Sequence, residues 1–329
     1  SRDVSFKIDT YGNEIQEIKY EVRTTDGGRL IENGVVEGTK NVGNSVSGSF
    51  NLKDLLDKNE IYSLEMALDL GEGKELYYYP DIIWGDDLNV EEKLAFVQDF
   101  HDRLFDKENA ADIRKFLETN STLNDNSTFA SVDIHSSLDQ ITYGDLKLVQ
   151  LEEPYISLKE ISEQMAEITT DYIVFSGSGD DRVYYRLTEY FRIKVGKERM
   201  LLIDYKRSME QLPDEKKLCI NDKIVLGITD RAVSYEESPD GNTVAFICAG
   251  RLYSYQSKEN KLTRVFAFKG EDDFDPRAMY DGHGIKILEI DESGTIRFAV
   301  YGYMSSGRHE GEVGVEVYSF DGKLNTIEE

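Results

Sequence analysis

The sequence is poor in cysteine, in positive charge and in long apolar runs. Two cysteines among 329 residues, Cys219 and Cys248, allow at most one intramolecular disulfide and exclude a disulfide-built scaffold. Lys and Arg number 38 against 64 Asp and Glu, which leaves a net charge of −26. A chain so short of cations has no footprint for phosphate, so nucleic acid is excluded as a partner and an anionic membrane surface is disfavoured. The longest apolar runs resemble Val244–Ala249, far below the roughly 20 residues of a spanning helix, so no membrane insertion is expected. There is no GxSxG elbow, no phosphate-binding GxxxxGK[ST], no HExxH and no CxxC. No catalytic residue, cofactor or functional metal is therefore expected.

What is present is β pattern with one helical interruption. Hydrophobic residues at 40% supply packed cores and exclude wholesale disorder. In residues 1–85, Val4, Phe6 and Ile8 alternate with polar residues, as do Ile18, Tyr20 and Val22, and Tyr62, Leu64, Met66, Leu68 and Leu70. A period of two places each apolar set on one face of a strand. Asp26-Gly27-Gly28 and Gly71-Glu72-Gly73 supply hairpin glycines. By strand count this stretch resembles an immunoglobulin or fibronectin type III sandwich, without the Cys–Trp–Cys signature.

At Asn89 the period changes. Asn89 and Glu92 predict a capping box, followed by a helical stripe of Val90, Leu94, Val97, His101 and Leu104. A second helix is predicted from Asn109, and a short one around Val132–Leu138. Strands are predicted at Tyr155–Ile161, Ile168–Phe175, Arg182–Val195 and Arg199–Tyr205, with Gly177–Asp181 read as a hairpin loop rather than a phosphate cradle. Helices followed by an antiparallel meander make an α+β unit. In element order, 88–208 resembles the nuclear transport factor-like or ketosteroid isomerase-like cone. That resemblance implies a sheet wrapped around the first helix, with His101 projecting into a pocket.

Beyond residue 211 an internal repeat appears. Ser238-Pro239-Asp240-Gly241-Asn242-Thr243-Val244-Ala245-Phe246 leads to Leu252–Tyr255, and a second copy runs from Glu292 through Ile296–Phe298 to Val317–Phe320. The first copy resembles the TolB-type propeller repeat, whose turn feeds a central blade strand. The resemblance implies blade-like meanders at Ser238–Tyr255 and Glu292–Phe320, and two copies are too few to close a ring. Either further blades lie beyond Glu329, or the two meanders pack as a small open β unit. The start Ser1-Arg2-Asp3, without Met, points to a processed chain or to a start introduced for expression.

The expectation is thus a multi-domain, mainly β protein. It has a β-sandwich (1–85), an α+β domain of helices plus antiparallel sheet (86–210) and a partial propeller-like domain (211–329). Candidate ligand contacts are Tyr77, Tyr79 and Trp84, whose aromatic faces suit sugar or peptide, together with His101 as a general base. The alternative for Tyr77 or Tyr79 is packing against the next domain, and for His101 a structural hydrogen bond. The glycine-rich insertion Tyr303–Gly314 is expected to project as a partner-binding loop through Tyr303, Arg308, His309 and Glu310. The acidic run Glu271–Asp275, with Asp281, is read as a solvated loop because its spacing does not converge on calcium. A non-catalytic, extracytoplasmic binding or sensing role for a protein or glycan partner follows, in a secreted or membrane-anchored protein, with a cytoplasmic location as the alternative. The alternative is a small-ligand carrier or enzyme built on the middle domain.

Overall fold

Alternation of apolar and polar residues becomes paired strand along most of the chain, and the protein is mainly β with antiparallel sheets, none of them closed. The architecture comes from a computed structural model that describes residues 2–214, 219–220, 223–226, 228, 233–268 and 282–329. Packing divides the chain into two compact units, one of 1–88 with 306–313 and one of 89–305 with 314–329.

The first unit contains β1 (Asp3–Asp9), β2 (Glu17–Thr24), β3 (Leu30–Val35), β4 (Lys40–Val42), β5 (Ser45–Asn51), β6 (Ile61–Gly71), β7 (Lys74–Tyr78) and β8 (Asp81–Ile83). One sheet has the order β1-β5-β4. The other runs β3-β2-β6-β7, with β8 also paired to β6. Inward residues of both sheets share one apolar cluster, in which Ile18, Tyr20, Val22, Leu64 and Leu68 meet Val46, Phe6 and Phe50. Tyr20 and Phe50 stack at 4.1 Å between ring centroids.

In the second unit, α1 (Val90–Phe105) buries Lys93, Val97, Phe100, His101 and Leu104. The predicted capping box does not form. Asn89 adopts φ 50°, a left-handed conformation, and makes no side-chain cap. The stretch from Asn109 closes into a 3-10 turn, Ala110–Phe116. Val132, expected in a helix, lies in β9 (Ser131–Asp133), and the helix α2 starts later, at Leu138–Ile141. Val132 faces Arg207 across a ladder that a helix would have broken.

The remaining strands of this region are β10 (Leu148–Gln150), β11 (Tyr155–Ile161), β12 (Met165–Ser176), β13 (Val183–Val195) and β14 (Met200–Gln211). Their order is β10-β12-β13-β14-β9, and β11 also pairs β12. The sheet is thus wider than the predicted four-stranded meander. Gly177–Asp181 is the β12–β13 hairpin. Phe100 meets Phe191 and Tyr205 at 5.6 and 5.2 Å, which seats α1 on the inner sheet face.

The same unit continues with a short ladder of β15 (Cys219–Ile220) and β16 (Lys223–Ile224), then two four-stranded meanders. The first is β17 (Tyr235–Glu237), β18 (Thr243–Cys248), β19 (Arg251–Gln256) and β20 (Lys261–Phe266). The second is β21 (His283–Ile290), β22 (Thr295–Tyr303), β23 (Val313–Asp321) and β24 (Thr326–Glu328). Strand order is sequential in both, so Val244–Phe246 and Ile296–Phe298 each occupy the second strand, with Tyr253–Tyr255 and Tyr318–Phe320 in the third.

The turns into those second strands also correspond. Gly241 and Gly294 have φ +69° and +82°, and their amides bond Ser238 O and Asp291 O respectively. That backbone region suits a residue without Cβ. The second copy lacks Pro and Asp at the first copy's positions, yet Asp291 accepts from the amides of Ser293 and Thr295 much as Asp240 accepts from Asn242. Ala245, Leu252 and Val265 of the first meander share a core with Ile287, Ile296, Phe298, Val300 and Phe320 of the second.

The acidic run Glu271–Asp275, Asp281 and the side chain of Cys219 lie outside the described residues. Cys248 is a free thiol whose Sγ donates to Gln211 O at 3.7 Å, and burial pushes its pKa up to about 11.

Candidate functional site

The inner face of the middle sheet carries a row of polar residues where its pattern calls for apolar ones. Thr170 on β12 lies opposite Glu189 on β13, which lies opposite Arg207 on β14. All three are buried, at 1%, 0% and 1% exposure. Their neighbours on the same face, Ile168, Leu187, Phe191 and Met209, are core residues. A buried carboxylate is tolerated only when it is paired and hydrogen-bonded.

Glu189 meets that requirement. Oε2 lies 2.8 Å from His101 Nδ1 and accepts from Thr170 Oγ1 at 2.9 Å, while Oε1 accepts from Tyr205 OH at 2.7 Å. Burial alone would raise its pKa. The hydrogen bond and charge of His101, the Tyr205 hydroxyl and the Arg207 charge outweigh burial and hold it below its ordinary value. Burial likewise opposes charge on His101, but Glu189 overcomes it and raises the imidazole pKa, with smaller help from Gln150 and Asp102. The two directions agree on an ion pair of His101 and Glu189. Although Gln150 favours the charged ring, Nε2 is buried without an acceptor at hydrogen-bond geometry.

Arg207 extends the cluster. Its guanidinium donates to Ile141 O at 2.5 Å and to Gln140 O at 3.4 Å, at the end of α2, and lies 4.0 Å over the Tyr143 ring. Carbonyls at a helix C-terminus attract cations. Burial opposes the Arg207 charge, yet the surrounding tyrosines and Glu189 favour it, and its pKa rises. Tyr143 and Tyr172 share a hydroxyl contact of 3.1 Å, and the Tyr172 ring meets His101 edge-on at 4.7 Å. Chemically this is a histidine–carboxylate pair with phenols around it, enclosed in a core.

The other predicted residues lie apart from this cluster. Tyr77 and Tyr79 stand together at the end of β7, with rings 6.5 Å apart and 13° from parallel. Tyr79 is 51% exposed. The Tyr77 hydroxyl donates to Glu75 Oε2 at 2.5 Å, and that bond, with burial and nearby Glu65, pushes its pKa up to about 12. Trp84 is engaged already, with the Arg2 guanidinium 4.5 Å from its ring centroid and Lys58 Nζ at 5.9 Å.

Tyr303 ends β22, where its amide bonds Gly282 O at 3.1 Å. Arg308 is exposed, and His309 Nδ1 meets Glu312 Oε2 at 3.1 Å. Glu310 is only 9% exposed, and its Oε1 accepts from Tyr78 OH at 2.7 Å. Gly311 has φ +83°, and a Cβ there would sit 2.8 Å from the Tyr77 amide nitrogen. The segment 306–313 is thus laid against β7, where the sequence predicts a projecting loop.

Glu189, Arg207, Thr170 and Tyr205 escaped the sequence reading, although Glu189 and Arg207 interrupt otherwise apolar parities, Leu187–Phe191–Ile193 and Tyr205–Met209. Among the described residues, no helix is long and apolar enough to cross a membrane. No protein-family model and no curated protein matches the chain.

Proposed function

We propose that this is a non-catalytic, extracytoplasmic binding or sensing protein of modular β construction. In this reading 1–85 acts as an immunoglobulin-like sandwich, 86–210 as an α+β cone, and 211–329 as part of a TolB-type propeller. The partner is a protein or a glycan. The observation that carries the reading is apolar surface on the second C-terminal meander. Val313, Val315 and Val317 project from one face of β23 at 74%, 68% and 53% exposure. Contiguous exposed aliphatic side chains mark a contact surface, and blade faces are ordinarily covered by their neighbours.

The test is binding on glycan and peptide arrays by the protein and by a Val315→Lys, Val317→Lys variant. Selective binding that the wild type shows and the variant loses supports the reading. Binding to nothing on either array, or binding indifferent to both substitutions, counts against it.

The alternative, a small-ligand carrier or enzyme using the middle region, is favoured by the His101–Glu189 pair. Its requirement is that a ligand reach the buried imidazole. A small-molecule screen that perturbs the His101 NMR resonances, or a turnover lost in a folded His101→Gln variant, would support this alternative over the first reading.

A further inference from the structure

The outer face of the sheet β3-β2-β6-β7 carries an imbalance that its own residues do not correct. Ladder register places Glu21 on β2 directly opposite Glu65 on β6, and Ala67 opposite Tyr77 on β7. These positions alternate with the buried Val22, Leu64 and Met66, so they share the solvent side. Like charges directly opposed across a ladder destabilise it.

The two cations of this face are committed elsewhere. Arg23 pairs with Glu21 at 2.7 Å and Lys19 with Glu17 at 3.0 Å. Glu65 is left with no hydrogen bond or ion pair among the described residues. Burial and Glu21 raise its pKa against a weaker pull from Arg23. Glu65 also raises the pKa of Tyr79, after burial, which places its charge beside the Tyr77–Tyr79 pair.

We propose that Tyr77, Tyr79 and Glu65 form a docking face for an arginine-bearing peptide segment of a partner protein. The proposal rests on the binding reading above and names the chemistry of its partner. A guanidinium is flat, stacks on tyrosine faces and pairs with carboxylate through parallel hydrogen bonds. It supplies the positive charge that Glu65 lacks, and the acidic chain favours its approach. The same unit already stacks one guanidinium on an aromatic ring, that of Arg2 on Trp84. Val35, 50% exposed and opposite Lys19 in the ladder, extends the face with apolar surface for the stem of the arginine or its neighbours.

The experiment titrates the full chain with a capped Gly-Ser-Arg-Ser-Gly peptide at physiological salt, followed by NMR of the tyrosine rings. Comparators are the same peptide with citrulline, a neutral isostere, or lysine, and phosphocholine. The arginine peptide should shift Tyr77 and Tyr79 and bind more tightly than the lysine peptide, and the citrulline peptide should not bind.

Tyr77→Ser combined with Tyr79→Ser, and separately Glu65→Gln, should weaken binding roughly threefold to tenfold. All three positions face solvent, and circular dichroism confirms the fold of each variant. Glu292→Gln, an equal charge change at an exposed site, should leave affinity unchanged. Equal weakening by Glu65→Gln and Glu292→Gln would reduce the effect to general attraction and overturn the proposal. Binding of the citrulline peptide, or tighter binding of phosphocholine, would overturn it as well. A neutral glycan lost on substitution of the tyrosine pair, with no arginine binding, would overturn the cation while leaving the binding reading standing.

Discussion

His101 Nδ1 on α1 lies 2.8 Å from Glu189 Oε2 on β13, and neither side chain is more than 1% exposed. This contact joins the helix to the sheet through charge inside an otherwise apolar cluster. Such a pair contributes little net stability over a well-packed apolar pair, but removing one partner strands the other. Glu189→Ala should therefore destabilise the second unit by about 3–5 kcal/mol, since it also strips the acceptor from Thr170 and Tyr205. Urea unfolding followed by circular dichroism measures the loss. A shift under about 1 kcal/mol would show that the core rearranges around the pair.

Stability should depend on pH through the same contact. Glu189, held below its ordinary 4.5, contributes above that value and loses its contribution as pH falls through the lowered one. His101, held above its ordinary 6.5, contributes fully below that value and loses its contribution as pH rises through the raised one. Both contributions are complete between 4.5 and 6.5. Urea midpoints should decline on the alkaline side of this window, and the decline should flatten in His101→Gln. An unchanged alkaline slope in that variant would assign the effect to other groups.

Lys93 offers a second polar tether for α1. It is 0% exposed, and Nζ donates to the carbonyls of Ser162, Glu163 and Met165 in the β11–β12 turn. Burial lowers its pKa. Lys93→Met preserves the stem and removes the ammonium donor from the Ser162 and Glu163 carbonyls, while Met165 O keeps the Ser162 amide, at a cost of roughly 1–3 kcal/mol. Faster amide exchange at 162–165 should accompany the loss in thermal midpoint.

Gly311→Ala should loosen the segment laid on β7, because a Cβ would meet the Tyr77 backbone at 2.8 and 3.0 Å from a φ of +83°. Trypsin should then cut at the exposed Arg308 at least several-fold faster than in the wild type. Equal cleavage rates would mean that the segment accommodates the methyl group in place.

Periodicity revealed those parts of the fold whose partners are near in sequence or share one face. The α1 stripe through Val97, His101 and Leu104 was legible because burial repeats with the helical turn. Lys93 stands on that stripe four residues before Val97, yet its acceptors come from residues about 70 positions away. The Asn89 cap failed because side-chain identity does not fix φ. Within the site, His101 stood out as a polar residue on an apolar face. Glu189 and Arg207 carried the same signal in their strands, but the ladder register that sets Thr170, Glu189 and Arg207 abreast is a long-range property.

The hydrogen bond from Tyr78 to Glu310 spans 232 positions of sequence. During synthesis the ribosome must release more than two hundred further residues before the acceptor for that phenol exists. The first unit therefore emerges before residues 306–313, which pack within it, have been made. Vectorial synthesis thus sets a long interval between the two partners of one side-chain contact.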